Sequence, residues 1–95
     1  MIGFAWNKNK AAANVKKHGV SFEEAKTVFN DEHALLIHDP DHSEQEDRFI
    51  LLGMSYRART LIVCHCYKET KGIIRIISAR VASKKEQDQY WEALK

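Results

Sequence analysis

Three apolar runs, Arg48–Ser55, Thr60–Tyr67 and Ile73–Ala79, follow one another with only Tyr56–Arg59 and a turn at Lys71-Gly72 between them. Connections this short reverse the chain, whereas a crossover to a parallel neighbour takes a dozen residues or more. The runs are therefore consecutive antiparallel strands, and that sheet sets what the rest of the chain must cover. A further strand, His33–His38, precedes them across the loop Asp39-Pro-Asp-His-Ser-Glu-Gln-Glu-Asp47, where Pro40 disfavours helix at Asp39 and supplies no ladder donor. Upstream, Ile2-Gly-Phe-Ala-Trp6 reads as a short strand. Asn7 then caps a helix over Lys8–Lys17, built around three alanines and closed by Gly19. Ser21-Phe-Glu-Glu24 fits a capping box opening a second helix to about Phe29, with Ala25, Val28 and Phe29 as its buried stripe. A second such box, Ser83-Lys-Lys-Glu86, opens a last helix from Lys84 to Leu94, with Tyr90, Trp91 and Leu94 as its apolar side. The order β, α, α, four strands, α predicts an α+β domain, with the helices on one face of a mostly antiparallel sheet of four to five strands.

Ninety-five residues suffice for one domain, residues 1–95, and for no second core. The longest uncharged apolar runs, Phe49–Met54 and Leu61–Cys66, are far too short to span a bilayer. No signal peptide is visible, and Cys64 and Cys66, two apart in a strand, are poorly placed to bridge. Both features predict a cytoplasmic protein with free thiols and no membrane partner.

Charge is distributed unevenly. Residues 1–20 carry four lysines and no acid; residues 21–50 carry nine acids against Lys26 and Arg48; residues 51–95 carry nine bases against four acids. Opposed patches of this kind steer a polyanion to one side of a molecule, although solvated charges could also be patterned this way by chance.

The arginines of the last strand raise the sharpest question. Strict alternation puts Arg75 beside Ile73, Ile77 and Ala79 on one face, and Arg80 beside Ile74, Ile76 and Ser78 on the other. Arg80 leaves the strand where the last helix begins, and Arg59 enters the neighbouring strand, so the two are expected to converge at one edge of the sheet. Guanidiniums placed so would stabilise the charge that builds on a phosphate during cleavage. The competing reading pairs Arg75 and Arg80 with acids such as Glu86 or Asp88. For proton transfer the candidates are His18, His65, Glu69, Glu86 and Tyr90. His65 shares its face with Leu61, Val63 and Tyr67, a setting that equally suits a packed histidine. The helix dipole already accounts for Lys17 and His18 at a helix C-terminus. His38, Asp39, Asp41 and His42 crowd one loop, yet match no fixed metal-ligand spacing, and Cys64-His-Cys66 lacks the gap of a zinc knuckle. No metal or other cofactor is expected. Nucleotide-binding glycine motifs are absent.

Several segments carry a resemblance. Lys17-His-Gly-Val-Ser-Phe-Glu-Glu-Ala25, Val28-Phe29, Asp41-His42, Arg48, Gly53-Met-Ser55, Arg59 and Ile74-Arg-Ile-Ile-Ser-Ala-Arg80, with Glu86 and Tyr90, resemble the BrnT toxin family nearly end to end. The resemblance implies a RelE-like fold and a ribonuclease toxin of a type II toxin–antitoxin system that halts translation. It also implies neutralisation by a BrnA-type ribbon-helix-helix antitoxin, in a heterotetramer or larger assembly. It implies metal-free chemistry, in which the RNA 2′-hydroxyl attacks the adjacent phosphate. On that basis Arg59 and Arg80 are assigned to the phosphate and Glu86 or His65 to proton transfer. Lys17, His18, Arg75 and Tyr90 are assigned to RNA contacts. The charge of the acidic stretch with Glu44, Glu46 and Asp47 suits a basic antitoxin, and a solvated loop explains it equally. A non-catalytic RNA- or protein-binding module is the alternative. Two positions depart from the family pattern: Ala58 stands where many relatives have glycine, and Asn7 where many have aspartate.

Overall fold

The computed structural model describes residues 3–39, 41, 46–68 and 72–95. Its elements run β1 (Gly3–Ala5), α1 (Lys8–His18), α2 (Phe22–Thr27), a 3₁₀ turn (Val28–Asn30), β2 (Leu35–Asp39), β3 (Arg48–Met54), β4 (Thr60–Tyr67), β5 (Ile73–Val81) and α3 (Lys84–Ala93). The five strands form one sheet in the order β1-β5-β4-β3-β2. The pairs among β2 to β5 are antiparallel, as the short connections demand, while β1 lies parallel to β5 and makes the sheet mixed.

The helices do not share one face, contrary to the expectation from sequence. Val20, Phe22, Ala25 and Val28, around and within α2, pack on Leu51, Leu61, Val63, Ile76 and Ala79, with Phe4, Trp6 and Ala11 at the margin. On the opposite face Tyr90 of α3 packs with Leu52, Ile62 and Ala82. Leu51 and Leu52, adjacent in β3, point into the two different cores, as strand alternation requires. Both faces of β3 to β5 are apolar, so burying one side alone would leave the other wet. The two N-terminal helices cover the central strands of one face, while α3 covers only one end of the other.

Local chemistry explains the boundaries. Asn7 accepts from the N–H groups of Asn9 and Lys10, and Gly19 ends α1 at φ 69°, where a side chain would be strained. Buried Asn14 donates to the carbonyls of Val20 and Ala79 and accepts from the Ala79 N–H, tying α1 to β5. Gly53 allows the 3₁₀ turn to lie on β3: a Cβ there would come within 2.8 Å of Ala34 Cβ and 2.9 Å of Val28 Cγ1.

One irregularity changes the arginine geometry. Cys64 faces Ser78 across the β4–β5 ladder, but His65 faces Ile76, so Ile77 is an extra residue in a β-bulge. Beyond it the alternation of β5 is reversed. Arg80 lies opposite Ile62 and Arg75 opposite Cys66, and Ile62 and Cys66 are on one side of β4. Arg75 and Arg80, expected on opposite faces, therefore stand on the same one, the face that α3 leaves partly open.

Candidate functional site

The open part of that face is a groove of about 260 Å³, lined by Asp39, Arg48, Ile50, Ile62, Cys64, Ile77, Ser78 and Arg80. Its floor is strand residues of β3, β4 and β5. Asp39 and Arg48 are cross-strand partners of β2 and β3, and supply the wall opposite Arg80. Ser78 and Cys64, also cross-strand partners, are short side chains where larger ones would fill the space. Burial pushes the Cys64 thiol pKa up, against the opposing pull of nearby Arg48, so it is a neutral, weakly nucleophilic floor residue.

Arg80 is held by a two-point pair with Glu86: Nη1 donates to Oε1 at 2.8 Å and Nη2 to Oε2 at 2.9 Å. Glu86 Oε1 also accepts from the Ser83 N–H at 2.7 Å, and Ser83 Oγ accepts from the Glu86 N–H, completing the capping box at the head of α3. The hydrogen bonds from Arg80, with lesser help from Ser83, hold the Glu86 carboxyl down at about 2. Glu86 is thus a permanent anion that positions Arg80, and at neutral pH it is too weak a base for the proton-transfer role expected of it. Arg75, on the same face, pairs with Glu46. The pairing of Arg75 and Arg80 with acids matches the competing sequence reading in its chemistry, with Glu46 as an unexpected partner.

Other expected site residues lie elsewhere. Arg59 does not converge with Arg80. It turns to the α2 side, where Nε donates to Glu24 Oε2 at 3.0 Å, Nη2 pairs with Glu24 Oε1, and Nη2 donates to the Gly19 carbonyl at 3.1 Å. Glu24 is 2% exposed and also accepts from Ser55 Oγ at 2.7 Å, which makes the cluster an internal bolt between α2 and the β3–β4 turn. Ala58 takes φ 59°, in the left-handed region, at the turn that delivers Arg59 to this position. The turn is fixed by bonds between Ser55 N and Arg59 O and between Ala58 N and Ser55 O, both 2.9 Å, so the strain of the non-glycine residue is over-determined by its surroundings.

His65 is fully buried on the α2 side, edge-on to Phe29 and Tyr67, with Nδ1 3.1 Å from the Val63 carbonyl. Burial lowers its pKa, leaving a neutral packed ring with no path to the groove. Tyr90, 3% exposed, donates its hydroxyl to Asp31 Oδ2 at 2.6 Å, and burial beside that carboxylate pushes its pKa up to about 12. It anchors α3 and offers no surface to RNA. Lys17 and His18 end α1 over the closed face, and the structure does not bring them to the groove. His38 and Asp39, successive in β2, point to opposite sides of the sheet, and His38 lies 3.4 Å from Asp47. His42, Glu44 and Glu69 lie outside the described residues. Among the described residues no group of three or more metal-ligating side chains assembles.

The groove residues that sequence reasoning did not place are Arg48, Asp39, Cys64 and Ser78. One signal was present: Ser78 is a small polar residue inside an otherwise bulky strand, which marks a gap in packing.

The family described as "Ribonuclease toxin, BrnT, of type II toxin-antitoxin system" matches residues 6–86. The crystal structure of the Brucella abortus ribonuclease toxin BrnT is similar at a TM-score of 0.67 and 20% identity, over 88% of this chain and 100% of that one. At that identity the likeness is one of fold. No curated protein sequence matches. None of the described helices is long and apolar enough to cross a membrane.

Proposed function

Because the chain belongs to the BrnT family of ribonuclease toxins of type II toxin–antitoxin systems, we propose that it is an endoribonuclease that cleaves RNA in the groove beside α3, without a metal ion. The observation that carries this reading is the placement of two arginines, Arg48 and Arg80, across a concave strand floor on the sheet face that α3 only partly covers. The scissile phosphate sits between them. The ribose 2′-hydroxyl gives its proton to Asp39, the carboxylate among the groove-lining residues, and its oxygen bonds to phosphorus. The bond from phosphorus to the 5′-oxygen breaks, and that oxygen takes a proton from solvent, leaving a 2′,3′-cyclic phosphate and a 5′-hydroxyl. Charge on the phosphoryl oxygens peaks between these events, and donors fixed in advance contribute most there. Two of the five guanidinium N–H groups of Arg80 are spent on Glu86, so its remaining donors are offered from a preset orientation. Arg75 extends the cationic side of the same face along the RNA backbone.

An antitoxin partner follows from the family. A BrnA-type protein in a heterotetramer or larger assembly is the form proposed here, and cleavage of cellular RNA then arrests translation once the antitoxin is lost. Incubating the purified protein with RNA in excess chelator tests the chemistry: cleavage with 2′,3′-cyclic phosphate ends is expected. Activity that disappears with chelator and returns with added divalent cation would overturn the metal-free mechanism.

A further inference from the structure

β2 is the outermost strand of the sheet, and its outer backbone edge pairs with no described strand. Its centre is apolar and open to solvent on both sides: Leu36 is 54% exposed and Ile37 42%. Proteins normally blunt such an edge with a lysine, a proline or a covering element, because unpaired N–H and C=O groups beside apolar side chains recruit another strand. Here no lysine lies in or beside the strand, Pro40 comes only after its last residue, and the flanks are acidic. Residues 31–47 contain seven acids and no lysine or arginine. Among those the structure describes, Glu32 lies before β2, Asp39 ends it, and Asp41 and Asp47 are exposed beyond it.

This charge pattern selects among occupants. A second copy of the chain adding antiparallel through its own β2 would set one acidic segment against another, and like charges brought opposite each other disfavour that pairing. RNA is repelled for the same reason. An extended protein segment that alternates apolar and basic residues satisfies all three features: the backbone edge, the apolar centre and the acidic flanks. We propose that the outer edge of β2 is a strand-addition site for a basic, extended segment of the chain's protein partner. Leu35 and Ile37 share the groove side of the sheet with Asp39, so the added strand would continue the groove wall outward, placing the partner next to the site it has to control. The inference takes from the functional reading only that a protein partner exists. It is tested without RNA, so either can fail while the other stands.

The probe is a synthetic peptide of about nine residues alternating lysine and valine, the length of a long strand. Its control is a peptide of the same composition with the lysines and valines in separate blocks. Titrated into the full-length protein, the alternating peptide is expected to bind at least about tenfold tighter than the block peptide, since only it can both pair the edge and place its charges at the flanks. It is also expected to slow hydrogen exchange at the amides of Leu35 to Asp39. The double variant Leu36→Lys, Ile37→Lys changes exposed side chains only, and should weaken binding by about tenfold or more with thermal stability retained. Equal affinity for the two peptides, no binding of the alternating one, or protection confined to amides outside β2 would overturn the proposal. Concentration-dependent protection of β2 in the protein alone would overturn it in favour of self-pairing.

Discussion

Ser21-Phe-Glu-Glu24 and Ser83-Lys-Lys-Glu86 are the same motif at the heads of two helices, and each glutamate grips an arginine. Their fates differ. Glu86 completes its capping box, returning a carboxylate oxygen to the Ser83 backbone, and keeps its side chain 25% exposed at the groove. Glu24 abandons half of its box. Ser21 Oγ still accepts from the Glu24 N–H at 3.0 Å, but the carboxylate turns inward to Arg59 and Ser55. Burial decides the role: a desolvated pair must be complete for the fold to tolerate it, while a half-solvated one can spare guanidinium donors for a ligand. The two arginines, equivalent candidates by sequence, therefore separate into a structural bolt and a half-solvated side chain at the groove, which the proposed mechanism sets against the phosphate.

The sharpest break of this contrast comes from Arg59→Ala. It strands the Glu24 carboxylate in the interior, and the stability measured by denaturant unfolding should fall by about 3 kcal/mol. That is the low end for a broken buried pair, because Arg57 stands 3.8 Å away and can partly compensate. Residual activity of whatever stays folded should be near that of the parent protein. Arg80→Ala should do the opposite, lowering the cleavage rate about 100-fold while stability changes by less than about 1 kcal/mol. If the two variants produced the same profile, the division of roles would be wrong. Tyr90→Phe removes the hydroxyl that joins α3 to Asp31, and a loss of about 1–2 kcal/mol is expected in the same unfolding measurement, with the groove intact.

The smallest effect concerns acid. Glu86 is held at about 2 in the folded chain against an ordinary 4.5. Its contribution to stability is therefore complete above about 4.5 and is lost as pH falls toward 2. Glu86→Gln should flatten the acid side of the stability curve within that window and leave the neutral region shifted only by the weakened cap. Glu24 and Asp31 are also depressed, by Arg59 and by hydrogen bonds from Tyr90 and the Met54 backbone respectively. Some acid sensitivity should therefore survive in the variant.

Much of the fold was legible because short-range signals agreed with it. The capping residues Asn7, Ser21 and Ser83, the stop at Gly19 and the hairpin-length connections each identified their element, and strands β3 to β5 fell within a few residues of expectation. The side of the sheet taken by α3 was not legible. It depends on where a chain leaving β5 finds apolar surface still uncovered, and both faces of the central strands read as apolar. Of the site, Arg80 with Glu86 could be read, since both sit at a recognisable strand-to-helix junction. His65 and Tyr90 could not be separated from catalytic candidates by residue type, because only depth distinguishes a neutral packed imidazole from a base. Asp39 and Arg48 needed the β2–β3 register, which the proline-containing loop between them conceals.

The extra residue at Ile77 has a wider consequence. It works as a phase slip in a two-residue wave: upstream and downstream halves of β5 obey the same rule with opposite sign. Two positively charged side chains separated by an odd number of steps are thereby brought onto one side, where a uniform strand would have divided them between core and solvent. Drawing that extra residue into a regular ladder, with the number of residues unchanged, would cast one of those guanidiniums against the α1/α2 packing. The slip is consequently as strict a requirement for the groove as the identity of any side chain that lines it.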